Sequence, residues 1–419
     1  MANMTEVAGT ATKQRDFRVI SLVGVAHFMS HVYVIMLSPV FLYARMEYGA
    51  SFEQLGMAMA VFGLFSALLQ TPAGFIVDRT GSGALLIAGL ALSGTGVAII
   101  GLIPSYWALI AGFAVLGVAN TVYHPADYAI LSHGVSAPRM AHAYSIHTFL
   151  GMAGQAATPA FMLAMAAMFG WHSGFLAIAV MTYAVAILLL LQKDALSDRP
   201  ELRRVEIAHK AAAAPVAAPE SRWKLLTSGP ILRSFVFFAF LTMTGNALQN
   251  YTIVGFGALY GTATTAASAA LTAFLICNAL GVLSGGIIAE RFKHPMRIAT
   301  AGLAASGVII LILAYANFPA TIFVVVMALI GLLNGIIMPS RDLIVRAVTP
   351  PGAFGIVFGF VTTGFNVAAV AAPLLYGWMM DAGSPRLIFI CAAGFTALSL
   401  LMANSAKPVK TTEPAVEAA

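Results

Sequence analysis

The segment GFIVDRTG, residues 74–81, has a counterpart in GIIAER, residues 286–291. Each holds a glycine, three apolar residues and an acid–base pair, Asp78-Arg79 in the first copy and Glu290-Arg291 in the second. The offset is 212 residues, about half the chain, and other landmarks repeat at 214: Asn120 with Asn334, Pro125 with Pro339, Pro159 with Pro373. Chance does not place four landmarks in register. The chain therefore reads as two copies of one unit, each with the acid–base pair at the end of its second long apolar segment.

Composition says what kind of unit this is. Of 419 residues, 60% are hydrophobic and 9% charged, and the mean hydropathy is +0.89. Soluble domains carry roughly 25% charged residues, so this chain cannot cover a surface that faces water. A helix crosses the hydrocarbon core with about 20 apolar residues. Twelve segments qualify: 19–43, 52–77, 84–103, 106–133, 141–169 and 171–192, then 231–260, 265–290, 297–316, 319–348, 353–380 and 385–404. Such uninterrupted runs exclude a barrel of short alternating strands. The expected fold is an all-α membrane protein with twelve transmembrane helices, numbered here 1 to 12, in two pseudo-symmetric six-helix bundles.

The expected organisation follows. Residues 1–18 are a polar tail without the apolar core of a signal peptide, and 19–192 form the first bundle. Residues 193–230 mix charges with AAAAPVAAP and read as a linker; 231–404 form the second bundle and 405–419 a C-terminal tail. With a cytoplasmic N-terminus, all but Arg45 and Arg386 of the 22 lysines and arginines fall on the cytoplasmic side, as the positive-inside rule requires. Both termini are expected there. The net charge of +6 then reads as attraction to anionic lipid, not to nucleic acid. Cys277 and Cys391 are far apart in apolar stretches and give neither a disulfide framework nor metal-ligand spacing. The chain shows no nucleophile triad and no nucleotide loop, so neither an enzyme nor a cofactor is expected.

Six helices plus six, a central linker and G-x-x-x-D-R-x-G after helix 2 resemble the major facilitator superfamily over the whole chain. Tyr123-His124-Pro125-Ala126-Asp127 in helix 4 resembles the His-Pro motif of fosmidomycin-resistance-type exporters, with Ala126 interposed before the acid. The resemblance implies a secondary transporter of the bacterial inner membrane, monomeric and working by alternating access. It also implies that helices 1, 4, 7 and 10 line a cavity and that helices 2, 5, 8 and 11 lie between the halves.

An ionisable side chain at the middle of a membrane helix costs about 2.5–3.5 kcal/mol, so those present are functional candidates. Asp127 and Asp342 are the acids well inside the segments; the histidines are His27, His31, His124, His142 and His147. His27 and His31 share a face of helix 1, and Asn120, His124 and Asp127, at i, i+4, i+7, share one of helix 4. Pro125 is expected to kink that helix. Desolvation and nearby cations pull a carboxylate in opposite directions, which suits it to take and release a proton. Asp127 reads as a proton acceptor with His124, His31, His27 and His147, or alternatively as a gate or cap without coupling. The histidines also suit a transition metal or interhelical hydrogen bonds; no metal is assigned.

Arg341 occupies the repeat position of Asp127. The two are expected to pair when the cytoplasmic side closes; the alternatives are a local pair with Asp342 or snorkelling to headgroups. Candidates for the substrate cavity are Asn120, Tyr123, Asn246, Gln249, Asn250, Asn334, Arg341 and Asn366, and for gating Asp78, Arg79, Glu290, Arg291 and Asp342. Gly151, Gly154, Gly281, Gly285, Gly355 and Gly359 are expected at the rocking interface between the halves. The functional expectation is proton-coupled export of a small organic compound. The alternatives are uptake or facilitated diffusion of a small organic anion, or a transporter-like sensor or scaffold.

Overall fold

The computed structural model describes residues 2–196, 219–291, 295–350 and 354–405, and the chain there is helical. Nine helices run without a break: helix 2 (Phe52–Thr80), 3 (Ser82–Leu102), 5 (Met140–Phe169), 6 (Trp171–Leu191), 8 (Thr264–Arg291), 9 (Pro295–Tyr315), 10 (Ala320–Val348), 11 (Phe354–Asp381) and 12 (Pro385–Ser405). Helix 1 crosses as Ala2–Ile35 and Phe41–Tyr48, helix 4 as Tyr106–Asn120 and Tyr123–Gly134, helix 7 as Gly229–Asn250 and Thr252–Tyr260. Among the described residues eleven stretches are long and apolar enough to span a membrane, and helix 9 supplies a shorter one.

Two of the breaks follow from proline. A proline ring clashes with the carbonyl four residues earlier and offers it no N–H. Pro39 stands four residues after Ile35, where helix 1 stops, and Pro125 four after Thr121, the C-cap of the first part of helix 4. Pro339, the repeat partner of Pro125, stays inside a continuous helix. The repeat is thus broken at the position of the histidine motif.

The ends differ from expectation. Helix 1 begins at Ala2, inside the expected tail. In the linker, Lys193–Leu196 form a 3-10 turn and Pro219–Leu226 a helix. Leu196 is fully buried against Gly83.

Twelve crossings place both chain ends on one side, called here the terminal side. Helix 2 packs on helix 11 and helix 5 on helix 8, joining the two bundles. The side opposite the termini is closed. A Cβ on Gly56 would lie 2.3 Å from the Pro373 carbonyl, and one on Gly377 2.6 Å from that of Phe52, so only glycine permits these backbone approaches. The Asp381 carboxylate accepts from the N–H groups of Phe52 at 2.9 Å and Glu53 at 2.8 Å. It thereby satisfies two of the free donors at the start of helix 2 from the other half of the molecule. Ser38 Oγ donates to Asn250 Oδ1 at 2.5 Å and joins the broken regions of helices 1 and 7.

The glycines expected between the halves mostly serve within them. Gly281 and Gly285 abut the backbone of helix 10, and Gly151 and Gly154 abut helix 1. Among the described residues a Cβ on Gly359 would meet nothing within 4 Å, and the surroundings of Gly355 lie outside the described residues. The reason is geometric: small residues mark close helix approach, and the closest approaches here also occur inside each bundle.

Filling the far-side contact should hold that side open. With both native cysteines replaced by serine, spin labels at Met46 and Ala382 report its width. Gly56→Leu is expected to lengthen their separation by several ångströms, whereas Gly74→Leu, at a position facing open space, leaves it unchanged. Equal distances in both variants would contradict closure by glycine contact.

Candidate functional site

Helices 1, 4 and 5 meet at one carboxylate. His147 Nε2 donates to Asp127 Oδ2 at 3.0 Å, and His27 Nδ1 lies 3.2 Å from the same oxygen. All three are buried, Asp127 completely. The rings of His27 and His147 are stacked with centroids 3.6 Å apart and planes 20° from parallel. His31 meets His27 edge-on at 4.6 Å, and His124 lies 5.4 Å from His27. Tyr128 stacks on His124 at 6.2 Å and lies 5.5 Å from His147. His31 is half-buried and His124 exposed, so the cluster grades from sealed to accessible.

Local sequence explains the convergence. His27 and His31 project from one face of helix 1, one turn apart. Gly151 of helix 5 makes room for them, since a Cβ there would stand 2.7 Å from His27 and 2.9 Å from His31. His147, one turn before Gly151, then reaches Asp127. Ser30 Oγ donates to the His27 carbonyl at 2.8 Å and so bonds back to its own helix.

The cluster leaves polar atoms over. Asp127 Oδ1, His147 Nδ1 and His31 Nδ1 are buried with no hydrogen-bond partner among the described residues. Unpaired buried atoms of this kind mark places where water, a proton or a guest completes the network. An ionised Asp127 among neutral rings is one net negative charge in the membrane, and one added proton neutralises it. Two stacked imidazoles repel if both are cationic, which limits the further charge this pair holds. Donor atoms of His27, Asp127 and His147 lie within 4.8 Å of one another, close enough for a cation. Metal-binding imidazoles, however, anchor their second nitrogen, and His147 Nδ1 has no partner among the described residues.

The other candidates fall into separate groups. Asn120 donates to Ser66 Oγ at 3.2 Å, tying helix 4 to helix 2, and Tyr123 is buried with its hydroxyl 2.8 Å from Ser93. Asn120 thus bonds to helix 2, whereas Tyr123 lies close enough to Asp127 to feel its charge. Asn250 is engaged by Ser38. Gln249 accepts from Gln155 of helix 5 at 2.7 Å, a bridge between the bundles, and Asn246 Oδ1 is buried without a partner among the described residues. Asn334 and Asn366 are half-buried. Arg341 lies over Phe238 at 4.7 Å and Phe365 at 5.1 Å, a cation–π contact inside the second bundle. Asp127 thus has its partners within the first bundle. His142 is exposed on helix 5, outside the cluster, and Arg291 is also exposed. The side chains of Asp78, Arg79, Glu290 and Asp342 lie outside the described residues.

Two contributors, Gln155 and Asp381, escaped the sequence reading, and Gly151 was expected between the halves rather than beside the histidines. Gln155 carried a visible signal, an amide inside an apolar segment. Asp381 carried none, because an acid at a helix end is ordinary until its partner helix is known.

Two helical bundles closed against each other on one face, with an ionisable cluster buried in one of them, point to a membrane transporter. The comparisons agree. Residues 23–261 and 235–418 each match the family model of the Major Facilitator Superfamily, and the chain belongs to that superfamily. It is 24% identical over 393 residues to the fosmidomycin resistance protein of Escherichia coli K12, covering 92% of each chain. The same figures hold for the uncharacterized MFS-type transporter YfnC of Bacillus subtilis. A probable sulfoacetate transporter, SauU of Cupriavidus necator, is 22% identical over 420 residues, 94% of each. In fold, the chain resembles a bacterial homologue of the human lysosomal transporter Spinster in an inward-facing, occupied conformation. The TM-score is 0.70 at 13% identity, over 93% of this chain and 96% of that one.

The contact of His147 with Asp127 is open to a double-mutant cycle. His147→Ala strands a buried carboxylate and should lower thermal stability, whereas the same change in Asp127→Asn should cost less. A coupling of about 0.5–3 kcal/mol is expected for side chains in contact; additive losses would show that the pair does not interact.

Proposed function

We propose that this protein is a proton-coupled secondary transporter of the bacterial inner membrane that exports a small organic compound, with both termini cytoplasmic. The observation that carries this reading is the Asp127–His147–His27 contact, sealed from solvent yet continued by half-buried His31 and exposed His124. That gradation supplies a route by which a proton leaves water and reaches a carboxylate inside the membrane. Closure of the far side by Gly56, Gly377 and Asp381 leaves the terminal side as the open one. With cytoplasmic termini this is the inward-facing state, ready to load from the cytoplasm.

In the cycle we envisage, protonation of Asp127 removes the charge that its two imidazoles hold. This loosens helix 4 against helices 1 and 5 and lowers the cost of rocking. When the terminal side closes, Arg341 leaves its aromatic contacts and meets Asp127 across the halves. One observation favours the alternative of a small organic anion: Arg341 is a half-buried cation in the second bundle, and one relative is named as a probable sulfoacetate transporter.

Purified protein in liposomes with an internal pH-sensitive dye tests the coupling. Candidate compounds should drive proton movement in wild type, and Asp127→Asn should abolish it while leaving the protein folded. Compound movement without protons in both would make the protein a facilitator. The cross-half pair has its own test: Asp127→Arg and Arg341→Asp should each stop transport, and the double reversal should restore part of it. No restoration would remove the pair from the cycle.

A further inference from the structure

Helices 5 and 8 part on the terminal side of the Gln155–Gln249 bridge, leaving a half-open groove of about 280 Å³ between the two bundles. Tyr144, Thr148, Phe149 and Met152 line it from one stripe of helix 5, with Leu283 and Gly286 facing them from helix 8. None of the lining residues is charged. The lining is mostly apolar and carries the hydroxyls of Tyr144, Ser145 and Thr148.

Two further observations give this space a purpose. Gly281 and Gly285 are held tight by the backbone of helix 10, but among the described residues a Cβ on Gly286 would meet nothing within 4 Å. Packing therefore does not require a glycine at 286, and its small size sets the width of the groove. The groove also adjoins the proton site: the Tyr144 ring is 5.5 Å from Tyr128, which contacts both His124 and His147. A guest lying there is one aromatic layer from the cluster and touches both halves, so its presence bears on how they rock.

We infer that this groove binds the apolar body of the transported compound, a molecule of about two fused rings with an uncharged hydrogen-bonding end directed at Tyr144 and Thr148. The volume sits at the lower end of ligand pockets, roughly 300–1,000 Å³. A charge held there would lose its water without gaining a partner, so the site discriminates against compact anions. This inference rests on the transport reading but concerns binding, which is measured separately.

The probes are 2-naphthol and naphthalene-2-sulfonate, alike in ring and opposite in charge. Equilibrium dialysis against wild type in lipid nanodiscs, corrected with empty nanodiscs for partitioning, should show one saturable site for 2-naphthol. The sulfonate should bind about tenfold more weakly or less. Gly286→Phe, which fills the groove, should reduce 2-naphthol affinity by a similar factor without lowering thermal stability. Thr148→Val, nearly isosteric, should weaken it several-fold and so covers the case in which the larger variant folds poorly. Equal binding of the two probes, no saturable naphthol binding, or wild-type affinity in both variants would overturn the inference. Absence of proton flux in the liposome assay would instead defeat the coupling and leave the groove standing.

Discussion

Hydrocarbon offers a protein no hydrogen-bond partner, and every unusual feature of this molecule is an answer to that constraint. Backbone groups are satisfied inside helices, and where a helix breaks, a side chain or another helix end is at hand. The break in helix 1 supplies Ser38, which meets Asn250 just before the break in helix 7. Tyr251, at that second break, donates its hydroxyl to the Pro373 carbonyl in a proline-containing helix. A fully buried carboxylate is the severest case, and Asp127 draws imidazoles from two other helices to one oxygen. Helices 1, 4 and 5 are held together by that requirement as well as by shape.

The same economy shapes the boundary between the bundles. On the far side, backbone meets backbone at Gly56 and Gly377, and Asp381 caps helix 2 from the opposite half. These are short-range contacts with little tolerance, so a small rotation breaks several together. Such an interface behaves as closed or open rather than as a continuum. Toward the terminal side the contacts give way to the amide bridge and then to the groove. The Asp127–histidine cluster lies within the first bundle, one aromatic layer from that boundary.

The pseudo-symmetry is informative where it fails. Pro125 and Pro339 occupy equivalent positions, yet helix 4 breaks and helix 10 does not. Asp127 is sealed by histidines, while its counterpart Arg341 rests on two phenyl rings. The buried ionisable cluster thus lies in the first bundle, and the cation that answers it in the repeat rests on aromatic rings in the second.

Much of this was legible in the chain itself. Apolar runs, the asymmetry of basic residues and the repeat at 214 depend on composition and order alone, so twelve helices in two bundles could be read directly. The histidines and Asp127 stood out because ionisable residues in apolar segments are costly wherever they point. Tertiary structure alone decided who meets whom. His147 was one candidate among several until Gly151 let helix 5 approach helix 1, and Asn120 turned out to bond to Ser66 of helix 2. Gly281 and Gly285 announced close packing but not the identity of the neighbour, which proved to be helix 10 of their own bundle. Periodicity reports which residues share a face of one intact helix. Contacts between helices depend on where proline interrupts that face and on which small residues let another backbone in, and those are properties of the assembled bundle.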